Sequence, residues 1–203
     1  MHFETRSTLM LELGFNPKYI ETLKSYVDLL WKANEELNLI SRKMSYEELI
    51  DNHVIDALIA LPYFPKNVKQ VADFGSGGGI PGVIFALNFQ DIQFTLYEKS
   101  IKKREFLARC QTLSPNIQLQ GEIPKDLAGI DLVTARAFKP LDVILDISRD
   151  YQKNSGRYFL LKGRREKIDE EIQLSLKKFK DIKPKIIELK SPILEVERHL
   201  VIL

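Results

Sequence analysis

The chain has 203 residues and a mass of 23.5 kDa, with 44% hydrophobic residues, 29% charged residues and a formal net charge of +2. This balance predicts a globular domain with a small appendage, and it excludes a membrane span, since no apolar run reaches about 18 residues. The single cysteine, Cys110, excludes an internal disulfide, and the three scattered histidines lack metal-ligand spacing. The N-terminal segment is not typical of a secretory signal. We therefore expect a metal-free cytoplasmic protein.

The first 62 residues have the apolar spacing of helices. Asn16 and Pro17 are typical of a helix start, because proline is favoured at the first helical position. Ser45 and Glu48 have the spacing of a capping box for a further helix that runs to about residue 61. We therefore predict a helical N-terminal cap over residues 1–65.

From Val68 onward, short apolar segments alternate with helical ones. The predicted strands cover residues 68–74, 92–98, 117–122, 130–138, 156–163, 184–190 and 197–203, and the predicted helices cover 83–89, 99–113, 140–151 and 164–179. Strands that alternate with helices predict an α/β fold, namely a mainly parallel seven-stranded sheet with helices on both faces. The last two strands have no helix between them, which predicts an antiparallel edge for this core of residues 66–203.

A glycine-rich segment, DFGSGGGIPG at 73–82, follows the first predicted strand and opens a helix. Glycines allow the backbone to turn tightly and to approach a ligand, and the following helix directs N–H groups toward it. Gly77, Gly79 and Gly82 also satisfy the dinucleotide pattern, which is weak when it stands alone. This context favours a nucleotide-binding loop over a turn without a ligand.

Two acids favour S-adenosylmethionine as the ligand. Asp73 lies two residues before the first glycine, where a carboxylate would repel a pyrophosphate but suits a ligand that carries an ammonium. Glu98 ends the second strand, in the position where an acid accepts hydrogen bonds from ribose hydroxyls. An NAD-dependent enzyme and a non-catalytic RNA-binding module remain as alternatives.

The glycine loop and six further segments together resemble the RsmG (GidB) family of 16S rRNA guanine-N7 methyltransferases. The matching segments are DFGSGGGIPGVI, NLIS at 38–41, His53 with Asp56, LYEKSIKKREFL at 96–107, VTARAFKPL at 133–141, GRYFLLKG at 156–163 and ERHLVIL at 197–203. The resemblance covers nearly the whole chain. The family usually has threonine at the position of Ile40 and aspartate at that of Glu98.

This resemblance implies a class I S-adenosylmethionine-dependent methyltransferase with a Rossmann-like fold. It implies a guanine in the decoding-centre loop of small-subunit rRNA as the acceptor, with 16S rRNA or the small ribosomal subunit as partner and no membrane. The cofactor contacts that it implies are Gly75, Gly77, Ile80, Glu98, Gly121, Glu122 and Arg136. Asp73 is a further predicted contact, because its carboxylate suits the ammonium of the ligand.

The acceptor side is predicted from residues that follow the fourth and fifth strands. Guanine N7 has a lone pair and no proton to lose, so we expect no general base and only positioning residues. Arg136 and Phe138 are the positioning candidates, with a salt bridge and core packing as their respective alternatives. Two basic clusters are candidates for phosphate contacts, with a solvated helix face as the alternative for each: Lys102, Lys103 and Arg104, and Lys162, Arg164 and Arg165. The second cluster belongs to the basic segment 153–190, which has 12 basic and 6 acidic residues.

Overall fold

The computed structural model describes residues 2–203, and its N-terminal third is helical. This part contains α1 (His2–Glu12), a 3₁₀ turn (Pro17–Tyr19), α2 (Ile20–Leu37), α3 (Tyr46–Leu49), a π-helical segment (Ile50–Ile55), α4 (Asp56–Leu58) and a 3₁₀ turn (Leu61–Tyr63). The capping box at Ser45 is confirmed, with both reciprocal hydrogen bonds to Glu48. The helix predicted after Ser45 is interrupted by the π-helical turn, a feature that is frequent at functional sites.

The seven predicted strands are all present and form one sheet. They are β1 (Gln70–Phe74), β2 (Gln93–Tyr97), β3 (Ile117–Gln120), β4 (Leu132–Arg136), β5 (Tyr158–Lys162), β6 (Lys185–Glu188) and β7 (His199–Ile202). The spatial order is β3-β2-β1-β4-β5-β7-β6. The two closing strands pair antiparallel, as predicted, and β7 lies between β5 and β6, one position in from the edge.

Five helices cover the two faces of the sheet. They are α5 (Gly82–Asn88), α6 (Ile101–Gln111), α7 (Leu141–Ile147), α8 (Arg149–Lys153) and α9 (Arg165–Lys178). The helix predicted over 140–151 is divided at Ser148, whose buried hydroxyl contacts the Ile144 carbonyl and the Tyr158 hydroxyl at 2.8 Å each. None of the helices within residues 2–203 is both long and apolar enough to cross a membrane.

The core consists of one apolar cluster on each side of the sheet. The N-terminal helices pack with α5 and α6 on one side, and α7, α8 and α9 pack on the other. This three-layer arrangement is the predicted α/β fold. Because β1, β2, β4 and β5 are parallel, their carboxyl ends meet at one edge of the sheet.

The helical N-terminal part is joined to the glycine loop by buried polar contacts. The Tyr26 hydroxyl, which is completely buried, donates a 2.6 Å hydrogen bond to the Gly78 carbonyl. The Asn16 backbone N–H donates to the Asn88 side chain at 2.7 Å, at the end of α5. Leu30 lies so close to Gly78 that a Cβ there would approach it to 3.2 Å. These contacts hold the glycine loop and the end of α5 against the N-terminal helices.

We expect Tyr26→Phe to lower the free energy of unfolding by about 1–3 kcal/mol, because it leaves the buried Gly78 carbonyl without its donor. Urea denaturation of the purified protein measures this change. Tyr63→Phe is the matched control, since Tyr63 is 44% exposed. Equal losses in the two variants would show that the Tyr26 hydroxyl does not anchor the loop.

Candidate functional site

Two adjoining cavities lie at the carboxyl edge of the sheet. The β2 cavity, of about 530 Å³, lies beyond the ends of β1, β2 and β3, and the β5 cavity, of about 450 Å³, lies beyond β4 and β5. Ala137, Phe138 and Lys139 line both. Both volumes are within the range of small-molecule sites, and ligands of open α/β sheets bind at this edge.

The glycine loop enters the β2 cavity in a conformation that glycine alone adopts readily. Gly75, Gly77 and Gly79 have φ values of +68°, +54° and +88°. The N–H groups of Gly75 and Ser76 donate to the Tyr97 carbonyl at 2.9 and 3.1 Å. The loop is therefore held by the end of the neighbouring strand β2.

Glu98 connects the loop to the helix that follows β2. One carboxylate oxygen accepts from the Gly77 N–H at 3.0 Å, and the other accepts from the Ser100 N–H at 2.8 Å. Glu98 lines the β2 cavity together with Gly121 and Glu122. A carboxylate oxygen has two lone pairs, so each of these oxygens still has capacity to accept from a hydroxyl.

Phe138 separates the two cavities. Its ring lies against Gly75, where any Cβ would collide with it, and it meets the Phe74 ring edge to face at a centroid distance of 6.2 Å. Two features therefore require glycine at position 75: the positive φ of its backbone and the Phe138 ring, which occupies the place of a Cβ. Phe138 itself is only partly buried, so its outer part remains available to a ligand.

A largely buried ionic cluster lines the β5 cavity. The Asp56 carboxylate, 4% exposed, contacts the guanidinium groups of Arg136, at 3.6 Å, and Arg198. Arg136 also donates to the carbonyls of Asn52 and His53, at 3.4 and 3.2 Å. These contacts join the N-terminal helices to the end of β4 and to the start of β7.

His53 is neutral in this cluster. Burial lowers the pKa of His53 to about 4, and the nearby Arg136 and Arg198 act in the same direction. Arginine can only donate, so the His53 Nδ1 accepts from Arg136, and the proton of the neutral ring is on Nε2. With two guanidinium groups against the single Asp56 carboxylate, the cluster carries a net positive charge beside the β5 cavity.

Asp73 lies beneath the glycine loop and is completely buried. Burial raises the pKa of Asp73 to about 7, and the nearby Glu98 carboxylate acts in the same direction. Neither carboxylate oxygen has a hydrogen-bond partner of good geometry among residues 2–203, although Ser76 and the Gly82 amide lie close and favour the charged form. A carboxylate in this place faces the N-terminus of α5, where a Cβ on Gly82 would come within 2.5 Å of it.

Comparison with known proteins identifies the family. Residues 19–201 match the family described as "GidB: rRNA small subunit methyltransferase G". The chain belongs to this family.

Individual relatives support the assignment. Ribosomal RNA small subunit methyltransferase G 1 of Bdellovibrio bacteriovorus is 61% identical over 202 residues, covering 100% of this chain and 98% of that protein. The methyltransferase G of Brachyspira hyodysenteriae is 32% identical over 188 residues, covering 90% and 89%. Among solved structures, Aeropyrum pernix fibrillarin with natively bound S-adenosyl-L-methionine shares the fold, with a TM-score of 0.53, 14% identity and coverage of 73% of this chain and 72% of that chain.

The structure brings most of the predicted site residues of this methyltransferase G family member to the two cavities. The β2 cavity is lined by Gly75, Glu98, Gly121, Glu122, Phe138 and Lys103, and the β5 cavity is lined by Arg136, Phe138 and Lys162. Gly77 is joined to the first group through Glu98. Arg136 thus lies on the side of the β5 cavity rather than among the predicted cofactor contacts.

Two predicted cofactor contacts lie away from both cavities. The Asp73 carboxylate lies beneath the loop, against Gly82 at the start of α5. The Ile80 side chain packs against the apolar cluster shared by the N-terminal helices and α5. For both residues the ligand contact stays a prediction.

Three predicted RNA contacts are already engaged within the protein. The Arg104 guanidinium donates to the carbonyls of Glu98 and Lys99. The Lys162 ammonium pairs with Glu171 at 2.8 Å and donates to the Lys139 carbonyl, and Arg165 pairs with Asp169 at 2.9 Å. Lys102 and Arg164 are exposed, and no ion pair forms at either among the described residues.

Several lining residues had no predicted role. Lys99, Lys139, Glu171, Arg198 and His199 all face one of the cavities. Arg198 and His199 stand in the segment ERHLVIL, which was predicted as the final strand. In the structure Arg198 directly precedes β7 and His199 begins it. Glu171 gave no signal, because it is one of several acids on the charged helix α9. No group of three potential metal ligands occurs within residues 2–203.

We expect Asp73→Asn to remove a pH dependence of stability in the cofactor-free protein. A carboxyl whose folded pKa is raised holds its proton between about pH 4 and 7, so the free energy of unfolding falls as the pH rises through this range. Between pH 5 and 8 the free energy of unfolding of the unaltered protein should fall by about 2–3 kcal/mol through the ionisation of Asp73. Urea denaturation at both pH values measures it.

The asparagine variant keeps His53, so the difference between the two proteins isolates Asp73. If both proteins change equally in stability between pH 5 and 8, Asp73 is already ionised in the fold and the assignment of its raised pKa is wrong.

Proposed function

We propose that this protein transfers a methyl group from S-adenosylmethionine to N7 of a guanine in the decoding-centre loop of 16S rRNA. The observation that carries the proposal is the pair of adjoining cavities, one lined by the glycine loop and Glu98 and the other by guanidinium groups, with Phe138 between them. Membership of the methyltransferase G family supports the same reaction class.

The residues of the β2 cavity fit this cofactor. A Cβ on Gly77 would meet nothing nearer than the Gly75 carbonyl at 3.7 Å, so the loop backbone is open to a ligand at this point. Glu98 and Glu122 provide negative charge and hydroxyl acceptors. When bound, S-adenosylmethionine supplies an electrophilic methyl group on a positively charged sulfonium.

The same residues disfavour a dinucleotide. A pyrophosphate binds to the N-terminus of the helix after the glycine loop. Here Asp73 already faces that helix start, and Pro81, directly before α5, has no N–H to donate. The acid beneath the loop therefore favours S-adenosylmethionine over NAD.

The β5 cavity is the proposed site of the acceptor base. In an A-form helix guanine N7 lies in a deep and narrow groove, so the base must be unpaired or extruded to reach the cavity. The partly exposed ring of Phe138 is placed to stack on it. Because N7 has a lone pair and no proton, the residues need only hold the base in line, which can contribute about 7–11 kcal/mol through orientation.

Cationic residues around the cavities are proposed to hold RNA phosphates. Lys99, Lys103 and Lys139 line the β2 cavity. The predicted contacts Lys102, next to Lys103, and Arg164, shortly after β5, are exposed. Phosphate contacts supply much of the affinity for nucleic acid. With 16S rRNA or the small subunit as partner, we propose a cytoplasmic location.

The experiment that tests the function is methylation in vitro. Purified protein is incubated with S-adenosylmethionine and either a 16S rRNA transcript or small subunits, and cleavage at N7-methylguanosine maps the product. We expect one modified guanine in the decoding-centre loop. Modification of another atom or another region would refute the proposed acceptor.

We expect Glu98→Ala to weaken S-adenosylmethionine binding by about 1.5–3 kcal/mol or more, since the variant loses a charged hydrogen-bond acceptor and also releases the Gly77 and Ser100 amides. Calorimetric titration gives the dissociation constant. Glu105→Ala, on the exposed face of α6, is the matched control. An unchanged constant in Glu98→Ala would show that the cofactor binds elsewhere.

We expect Phe138→Leu to reduce kcat/KM for rRNA by about 5- to 100-fold, equivalent to about 1–3 kcal/mol of lost base stacking. The dissociation constant of S-adenosylmethionine should change much less, because leucine still covers Gly75. If the variant loses stability but keeps its kcat/KM, Phe138 is a packing residue and does not hold the base.

A further inference from the structure

The basic segment 153–190 is divided between two opposite edges of the sheet. Arg164 and Arg165 lie at the carboxyl edge, just after β5. Helix α9 then returns along the sheet, and Lys185 at the start of β6 is level with Ile202, which pairs with Phe159 near the start of β5. The residues between α9 and β6 therefore lie at the amino edge, away from both cavities.

We define the basal patch as five exposed cations at this amino edge: Arg157, Lys177, Lys180, Lys183 and Lys185. Their segments are adjacent in space. Phe179 and Ile182 pack in the same cluster as Tyr151 and Tyr158, and the Arg149 guanidinium lies 5.4 Å from the Phe179 ring centroid. The patch is thus formed by two neighbouring parts of the chain, and within it the Arg157 guanidinium also donates to the Asn67 carbonyl at 3.3 Å.

The charges of the basal patch are not neutralised by neighbouring acids. Within residues 2–203 none of its five cations forms an ion pair, and Asp181 is the single acid between Lys177 and Lys185. The nearby acids Asp142 and Asp150 pair instead with Lys178 at 3.0 Å and Lys153 at 3.8 Å. With five cations and Asp181, the patch therefore keeps a net positive charge.

Within the basic segment, the cations at the carboxyl edge are mostly paired. Lys162 pairs with Glu171 and Arg165 pairs with Asp169. The charge that this segment brings to the carboxyl edge is therefore largely compensated, and the unpaired cations at that edge come mainly from other parts of the chain, whereas the excess charge of the basic segment is at the amino edge. Unpaired surface cations are the groups that exchange counterions for phosphates.

We propose that the basal patch binds the phosphate backbone of a second segment of the RNA substrate, distant from the methylated loop. This rests on the proposed function. A strand of five residues spans about 17 Å, so a loop seated in the β5 cavity does not also cover the amino edge. Contact at both edges requires a large, folded RNA, which a short oligonucleotide cannot replace.

The experiment compares the double variant Lys180→Glu/Lys183→Glu with the unaltered protein. Lys185 is left intact, since a lysine on an edge strand also prevents edge-to-edge association. Binding to a full-length 16S rRNA transcript is measured at several salt concentrations. Losing two contacts should flatten the slope of log K against log salt by about 1.4. The ratio of the binding constant of the unaltered protein to that of the variant should therefore fall about sevenfold between 50 and 200 mM salt.

Two controls make the test specific. Lys18→Glu/Lys32→Glu changes the net charge equally on the N-terminal helices, where both lysines are exposed, and should leave the slope nearly unchanged. Methylation of a short hairpin that contains only the target loop should be the same in all three proteins. Methylation of this hairpin also tests the proposed function separately, because it does not require the basal patch.

The proposal is overturned if the basal and control variants give the same slope on the transcript. It is also overturned if binding to the naked transcript is unchanged while methylation of the small subunit falls, because the patch would then contact protein. A flattened slope with unchanged hairpin methylation supports it.

Discussion

One buried carboxylate connects the parts of this protein that form its site. Asp56 lies in the N-terminal helices, while Arg136 ends β4 and Arg198 precedes β7, and both guanidinium groups contact Asp56. Burial lowers the pKa of Arg136, and the Asp56 charge opposes this shift. Removing one partner of such a buried ionic group leaves the others uncompensated, which is strongly destabilising. The cluster thus sets the position of the N-terminal helices and one wall of the β5 cavity together.

The proposed roles of the two cavities, as donor site and acceptor site, follow from their side chains. Beside its lysines, the β2 cavity presents a glycine backbone and two carboxylates, which suit a cationic nucleoside. The β5 cavity presents guanidinium groups, and the Phe138 ring lines both cavities. Phe138 is in contact with Gly75 and so belongs to both. A transfer to guanine N7 needs alignment rather than proton transfer, and a shared wall between donor and acceptor is well suited to that task.

The sequence predicted the sheet, its seven strands and the glycine loop, because periodicity and glycine patterns are local signals. It placed Glu98 at a strand end for the same reason. It did not predict that Lys162 would be engaged by Glu171, because the two lie on different elements, a strand and the helix that follows it. It did not predict that Arg104 would be engaged by backbone carbonyls, because every residue has such a group.

Side-chain direction was a second limit. Asp73 was correctly placed beside the glycine loop, but only the structure shows that it points beneath it. The basic segment was visible as a count of charges, yet its division between two sheet edges depends on the return path of α9. The π-helical turn at Ile50–Ile55 also lacks a distinctive pattern of residues.

The most direct test of the two-cavity arrangement is a crystal structure of the protein with S-adenosylhomocysteine. The account predicts the nucleoside in the β2 cavity, with its ribose hydroxyls on Glu98, and nothing of this ligand in the β5 cavity. A nucleoside bound among Arg136, Arg198 and Lys162, or bound without contact to Glu98, would contradict it.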